Sequence, residues 1–192
     1  MKLTKLLERL DYKVVAGSDN IEITELVNDS RKVVPGSVFV CISGAVSDGH
    51  QYVKDVAEKG AAAVIVEKDV EVPEGLTVIK VEDTRYALAL MSAAYFGYPA
   101  EKLKTIGITG TKGKTTTTYM VKAILEEVGH KVGLIGTIEA IIGDKTIPSN
   151  NTTPESYTIQ KYFAQMVEAG CDCVVMEVSS QGLMLHRTAG DR

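Results

Sequence analysis

Two rhythms of apolar and polar residues alternate along this chain. Residues 23–27, 37–42, 61–66 and 77–81 are short, apolar, β-branched runs of strand length. Between and after them, residues 4–10, 52–59 and the stretch from Asp83 or Thr84 to Phe96 have helical spacing, with Gly60 stopping the second helix. A composition shift follows at Gly97-Tyr98-Pro99-Ala100-Glu101. Beyond it the pattern predicts a strand over 103–109, a helix over 115–128 and a strand over 131–136. A hairpin over 138–147 turns at Gly143-Asp144, and a helix over 155–169 ends at Gly170 before a strand over 173–178. The 103–109 strand is apolar and β-branched enough to be buried and parallel. The 115–128 helix offers Met120, Val121, Ile124, Leu125 and Val128 as its apolar face.

Strands alternating with helices predict an α/β protein. We expect a small N-terminal α/β domain over residues 1–98. The first part of a mostly parallel, doubly wound sheet domain with a phosphate loop follows over 99–192.

The densest chemistry lies in Thr109-Gly110-Thr111-Lys112-Gly113-Lys114-Thr115-Thr116. A strand end, a glycine-rich turn and a helix start form a cradle in which backbone N–H groups surround an anion. Lys114 adds a point charge for the outer phosphates, and the hydroxyl of Thr115 or Thr116 suits Mg²⁺. The longer G-x-x-x-x-G-K-[ST] pattern fails because residue 108 is Ile, so this is the shorter G-T-K-G-K-T form. The competing reading is an ordinary glycine-rich turn, although a lysine followed by a run of threonines is a poor choice for a plain helix start.

Glu177 ends an apolar strand, where an open parallel sheet gathers its ligands. A carboxylate beside a phosphate loop suits Mg²⁺, against the alternative of a solvent-exposed strand end. Thr152 and Thr153 precede Pro154 and a helix, so simple capping competes with ligand binding there. Ser179 and Arg187 flank a glycine-containing loop. Arg187 could fork onto a carboxylate or phosphate, or be an ordinary solvated surface arginine. Ser30 sits in a turn-like Asn-Asp-Ser-Arg cluster that means little alone. His50 reads as structural rather than catalytic.

Composition excludes several classes. The chain has 192 residues, is 45% hydrophobic and 24% charged, and carries a net charge of −4. That balance leaves no electrostatic footprint for nucleic acid. No apolar run reaches the length of a membrane span, and the N-terminal charges are too closely spaced for a signal peptide. A cytoplasmic protein is expected. Cys41, Cys171 and Cys173 are few enough for a reducing compartment. Cys41 and Cys173 look like buried strand residues rather than metal ligands, because the C-x-C pair has no second ligand pair nearby.

Four segments together resemble the Mur ligases, and within them the members that add a diamino acid to UDP-MurNAc-L-Ala-D-Glu. They are Asn28-Asp29-Ser30-Arg31 with Pro35-Gly36-Ser37-Val38-Phe39-Val40, the phosphate loop, Asn151-Thr152-Thr153-Pro154-Glu155, and Met176-Glu177-Val178-Ser179-Ser180-Gln181-Gly182-Leu183 with His186-Arg187. The resemblance implies that ATP phosphorylates the D-Glu carboxylate. The amine of lysine or diaminopimelate then attacks the acyl phosphate to form an amide. It implies ATP and phosphate contacts from Gly110 to Thr116, with Lys114 and Glu177 catalytic and Thr115 and Glu177 on Mg²⁺. Ser30, Thr152, Thr153, Ser179 and Arg187 would contact UDP-MurNAc-dipeptide, in a monomer. Two residues depart from the family: Gln181 stands where histidine is frequent, and Lys112 where asparagine is. In the loop from Gly44 to His50 the sequence assigns no uridine contact either way, since Ala45 and Val46 offer no polar side chain. Family members continue for about a further domain and a half, with a modified lysine at a second Mg²⁺ and a domain that selects the amino acid. The chain therefore reads as an N-terminal fragment, inactive alone. Two alternatives remain: a non-catalytic UDP-sugar and nucleotide-binding module, and another Mur- or folylpolyglutamate-type ligase.

Overall fold

The computed structural model describes residues 1–44 and 47–191; Ala45, Val46 and Arg192 lie outside the described residues, and with the first two goes the expectation about the uridine loop. The chain divides into two compact units, Met1–Met91 and Ser92–Arg192.

The first unit contains helix α1 (Leu3–Leu6), strands β1 (Lys13–Ala16), β2 (Leu26–Val27) and β3 (Val38–Val40), helix α2 (Val53–Glu58), and strands β4 (Ala63–Val66) and β5 (Thr77–Lys80). Helix α3 (Thr84–Tyr95) straddles the division between the units and ends before the Gly97-Tyr98-Pro99 shift. The sheet order is β1-β5-β4-β3-β2. Strands β2 to β5 run parallel, and β1 closes the edge antiparallel to β5. Strand β4, Ala-Val-Ile-Val, is wholly buried, as a strand covered on both faces must be. Strand β1 was not expected from the pattern. It is an edge strand with alternating exposed and half-buried positions and a register shift between Val14 and Ala16, and its apolar run, Val14-Val15-Ala16, is only three residues long. The N-terminal helix stops at Leu6, short of the expected residue 10.

The second unit contains β6 (Lys104–Ile108), α4 (Lys114–Glu127), β7 (Val132–Ile135), β8 (Glu139–Ile142), β9 (Lys145–Pro148), α5 (Ser156–Glu168), β10 (Cys173–Glu177) and α6 (Ser180–Met184). Its order is β6-β10-β7-β8-β9. Strands β6, β10 and β7 are parallel, while β8 and β9 form the expected hairpin. Successive β10 side chains point to opposite faces. Cys173 and Val175 pack beside Val121 and Leu125 of α4, and Val174 and Met176 pack with Ile159, Phe163 and Met166 of α5. Helices thus cover both faces, as a doubly wound sheet requires. Phe163 and Met166 are fully buried, each contributing roughly 1.5–3 kcal/mol of transfer free energy.

Two expectations about burial need correction. Strand β6 is not buried: Lys104, Thr105 and Gly107 are exposed, because β6 occupies the edge of the described sheet with only β10 beside it. The apolar face of α4 is also narrower than expected. Val121 and Leu125 meet the sheet, whereas Met120, Ile124 and Val128 are 60–70% exposed on the next stripe of the helix. All three cysteines are buried and free, Cys41 and Cys173 as expected for core residues.

Candidate active site

The phosphate loop joins β6 to α4. Gly113 caps α4 at φ 78°, a left-handed conformation that costs glycine little and other residues more. The first N–H groups of α4 have no carbonyl partners within the helix and carry the positive end of its dipole. Lys114 Nζ donates to Gly110 O at 2.9 Å, closing the loop on itself. Gly110, Thr111, Lys112, Gly113 and Thr116 are exposed, and Lys114 and Thr115 are half-buried.

Of the two candidate metal-binding hydroxyls, only Thr115 turns toward the sheet. Its Oγ1 donates to Glu177 Oε2 at 3.0 Å. Glu177 is 1% exposed, so the solvent-exposed alternative is excluded. Thr137 holds the same carboxylate twice, its N–H donating to Oε1 at 2.8 Å and its Oγ1 to Oε2 at 3.0 Å. Gly136 leaves the space: a Cβ there would lie 2.6 Å from Glu177 Oε1. Among the described residues, no cationic side chain pairs with Glu177. A buried carboxylate held only by neutral donors is costly unless a cation joins it. The oxygen-only donors Thr115 Oγ1 and Glu177 fit a hard divalent cation such as Mg²⁺.

The Asn-Thr-Thr-Pro-Glu and Glu-Val-Ser-Ser segments are knitted together here. Thr152 Oγ1 lies 3.0 Å from Thr137 Oγ1, to which it donates because the Thr137 proton is spent on Glu177. Thr153, 1% exposed, donates through Oγ1 to Glu177 O at 2.9 Å, and the same oxygen accepts from Ser179 N at 2.9 Å. Simple capping is therefore not their role. The N-cap of α5 is Glu155, without a side-chain bond, and Pro154 precedes it. Arg187 is not a solvated surface arginine. Its side chain is 12% exposed, with Nη1 donating to Thr153 O at 2.8 Å and Nη2 to Glu155 Oε1 at 2.6 Å. Ser179 caps α6 by accepting from Gly182 N at 3.0 Å. Ser30 begins a 3-10 turn in the first unit, where its carbonyl accepts from Lys59 Nζ at 3.0 Å. The structure thus gathers the phosphate loop, Thr152, Thr153, Glu177, Ser179 and Arg187 within one unit, and Ser30 belongs to the other.

Sequence reasoning missed Thr137, Glu139 and Tyr119. Thr137 lies just past the carboxyl end of β7, adjacent to β10 in the sheet, so the rule that led to Glu177 could have reached it. Tyr119 donates to Glu139 Oε1 at 2.7 Å. Burial first, then this bond and the charges of Glu139 and Glu177, push its phenol up to about 12.

Elsewhere, His50 is held on both ring nitrogens. The Glu67 N–H donates to Nε2 at 3.1 Å, so the ring proton sits on Nδ1 and points to Asp48 Oδ1 at 2.6 Å. This fits the structural reading. His130, Asp172 and Cys173 cluster at the opposite end of β10 from Glu177. There Asp172 accepts from His130 Nδ1 and from Lys131 N, satisfying the group without an ion.

Comparison with known proteins fits this arrangement. The family model of the Mur ligase middle domain matches residues 108–191, and that of the Mur ligase family catalytic domain matches residues 22–96. The UDP-N-acetylmuramoyl-L-alanyl-D-glutamate--2,6-diaminopimelate ligase of Clostridium perfringens is 50% identical over 190 residues, covering 99% of this chain and 39% of the relative.

This chain belongs to the Mur ligase family.

The Bacillus licheniformis ligase of the same name is 48% identical over 191 residues, covering 99% of this chain and 39% of its own length. The chain thus spans about 39% of the length of these Mur ligases. A solved UDP-N-acetylmuramoyl-L-alanyl-D-glutamate--2,6-diaminopimelate ligase superposes with a TM-score of 0.79 at 22% identity, covering 99% of this chain and 38% of that one. MurF ligase from Thermotoga maritima, solved in complex with ADP, gives 0.53 at 23% identity, covering 86% of this chain and 35% of that one. Both likenesses speak to the fold. Among the described residues, no helix is long and apolar enough to cross a membrane.

Proposed function

We propose that these residues form the nucleotide-binding part, and the first domain, of an ATP-dependent ligase that adds a diamino acid to UDP-MurNAc-L-Ala-D-Glu. The observation that carries the reading is the buried Glu177 carboxylate, bonded to Thr115 at the start of the phosphate-loop helix. The names of relatives that are 48–50% identical favour 2,6-diaminopimelate over lysine as the amino acid.

In this reading the turn from Gly110 to Gly113 and the N-terminus of α4 receive the β- and γ-phosphates of ATP. Lys114 exchanges its bond to Gly110 O for a phosphate oxygen and stays with the charge as the phosphoryl group moves to the substrate carboxylate. Thr115 and Glu177 would hold Mg²⁺, which would supply charge neutralisation for the phosphates when bound. Thr137 keeps Glu177 oriented. Thr153 uses its hydroxyl within the fold, so its part is to position the segment that presents Thr152. Arg187, already paired with Glu155, contributes to substrate binding by fixing that segment and by its remaining donors. Ser179 and Ser30 complete the proposed contacts to UDP-MurNAc-dipeptide. The compartment is the cytoplasm, where ATP and this substrate are found together.

The test joins this chain to the remaining C-terminal part of the C. perfringens relative. Purified chimera is given ATP, Mg²⁺, UDP-MurNAc-L-Ala-D-Glu and either diaminopimelate or lysine, and the tripeptide is sought by mass spectrometry. Multiple turnovers with diaminopimelate are expected. A folded chimera that forms no tripeptide with either amino acid would overturn the reading.

A further inference from the structure

Glu177 is gripped from two directions by elements that share no backbone. Thr115 reaches it from α4, and Thr137 reaches it from the turn between β7 and β8. That turn is closed by Gly136 N donating to Glu139 O at 3.0 Å, so Thr137 lies inside it and Glu139 at its far end. The Glu139 side chain then reaches back to α4, where Tyr119 Oη donates to its Oε1 at 2.7 Å. Tyr119 follows Thr115 by one helical turn and therefore shares its face of α4. A helix start can shift or fray, and so can a turn. A bond between them, one helical turn from Thr115, sets the separation of the two hydroxyls that hold Glu177.

We infer that Tyr119 and Glu139 are positioning residues: their hydrogen bond ties α4 to the β7–β8 turn and keeps Thr115, Thr137 and Glu177 in register for a divalent cation bound with nucleotide. The inference rests on the nucleotide-site reading above. It assigns neither residue a contact with cation or substrate. Both groups are half-buried, so the bond is partly shielded from competition by water.

Two variants separate the tie from a simple charge effect. Tyr119→Phe removes the bond and leaves the Glu139 charge. Glu139→Gln removes the charge and leaves an acceptor for Tyr119. ATP binding to the 192-residue chain is measured by calorimetry across a Mg²⁺ series and again in EDTA, with Glu177→Gln as the control for the site and thermal melts as the control for folding. Tyr119→Phe should raise the Mg²⁺ concentration for half-maximal binding about threefold to tenfold, the scale of one lost hydrogen bond. Binding in EDTA should be unchanged. Glu139→Gln should stay near wild type. Glu139→Ala should match Tyr119→Phe, and the double variant Tyr119→Phe with Glu139→Ala should be no worse than either alone. A wild-type Mg²⁺ profile for Tyr119→Phe overturns the tie alone, as does a large shift for Glu139→Gln with none for Tyr119→Phe. Absence of Mg²⁺-dependent ATP binding in the wild-type chain, or its persistence in Glu177→Gln, overturns the site reading and the tie with it.

Discussion

Thr115 Oγ1 and Glu177 Oε2 lie 3.0 Å apart although 62 residues separate them in the chain. One hydroxyl from the start of α4 and one carboxylate from the end of β10 meet beside the glycine-rich loop. The pairing also leaves Thr116 exposed and without that role.

Substitutions at this pair should separate cation from nucleotide. Glu177→Gln keeps the shape and its acceptor oxygen but loses the charge, so Mg²⁺ dependence of ATP binding should weaken markedly while binding in EDTA is kept. In the active chimera, Lys114→Ala should lower turnover by about two to three orders of magnitude, the scale for removing one preorganised charge-stabilising donor. Steady-state assays across a Mg²⁺ series check both. Wild-type turnover in Lys114→Ala would remove that residue from the mechanism.

Thr153 should matter first for stability. Its buried hydroxyl both donates to Glu177 O and accepts from Ser179 N. Thr153→Val keeps the volume but strands both partners, so the second unit should lose about 1–3 kcal/mol. Chemical denaturation followed by far-ultraviolet circular dichroism measures this. An unchanged midpoint would mean that water replaces the hydroxyl.

Asp48 predicts an acid-sensitive first unit. Bonds from Lys68 and then His50 hold its carboxyl below the usual carboxylate range. A depressed folded-state value contributes stability that is full above the unfolded value of about 4 and is lost as pH falls below it. Asp48→Asn should therefore lower the melting temperature at pH 7 and only somewhat less at pH 3, because the depressed folded-state value lies well below pH 3 and the contribution is lost in full only beneath it. Equal losses at the two pH values would show that the contribution is not ionic.

The first domain should fold by itself. A piece ending at Tyr98 contains the whole β1-β5-β4-β3-β2 sheet and all of α3, enough for its own core. Dispersed amide resonances are expected from this piece. Its UDP affinity should be weak, because Thr152, Thr153, Ser179 and Arg187 lie outside it. A collapsed spectrum would show that it needs the rest of the chain.

How much was legible depended on whether a feature is local. The loop from Gly110 to Thr116, the turn at Gly143 and the apolar run of β10 are written in consecutive residues, and each stands where the pattern put it. Strand β1 was missed because its apolar run, Val14-Val15-Ala16, is shorter than the strand-length runs elsewhere. Residues 103–109 were expected to be buried because a β-branched run looks the same at the centre of a sheet as at its edge. For Thr152 and Thr153 the sequence left capping and ligand binding in competition, because Thr-Pro before a helix is a common start signal, and only the structure shows their hydroxyls committed to Thr137, Glu177 and Ser179.

By itself, the sequence determined the alternation of strands and helices, the glycine-rich turn before α4 and the motifs that mark a Mur ligase. Short-range backbone preference and side-chain periodicity are enough to specify these. Only the tertiary structure decided which threonine faces Glu177, that Thr137 grips the same carboxylate, that Arg187 is spent on Thr153 and Glu155, and that Tyr119 reaches Glu139. Those contacts join residues from 20 to 62 positions apart. Strand order and the rotation of α4 against the sheet bring them together, and neither is encoded in any local run of residues.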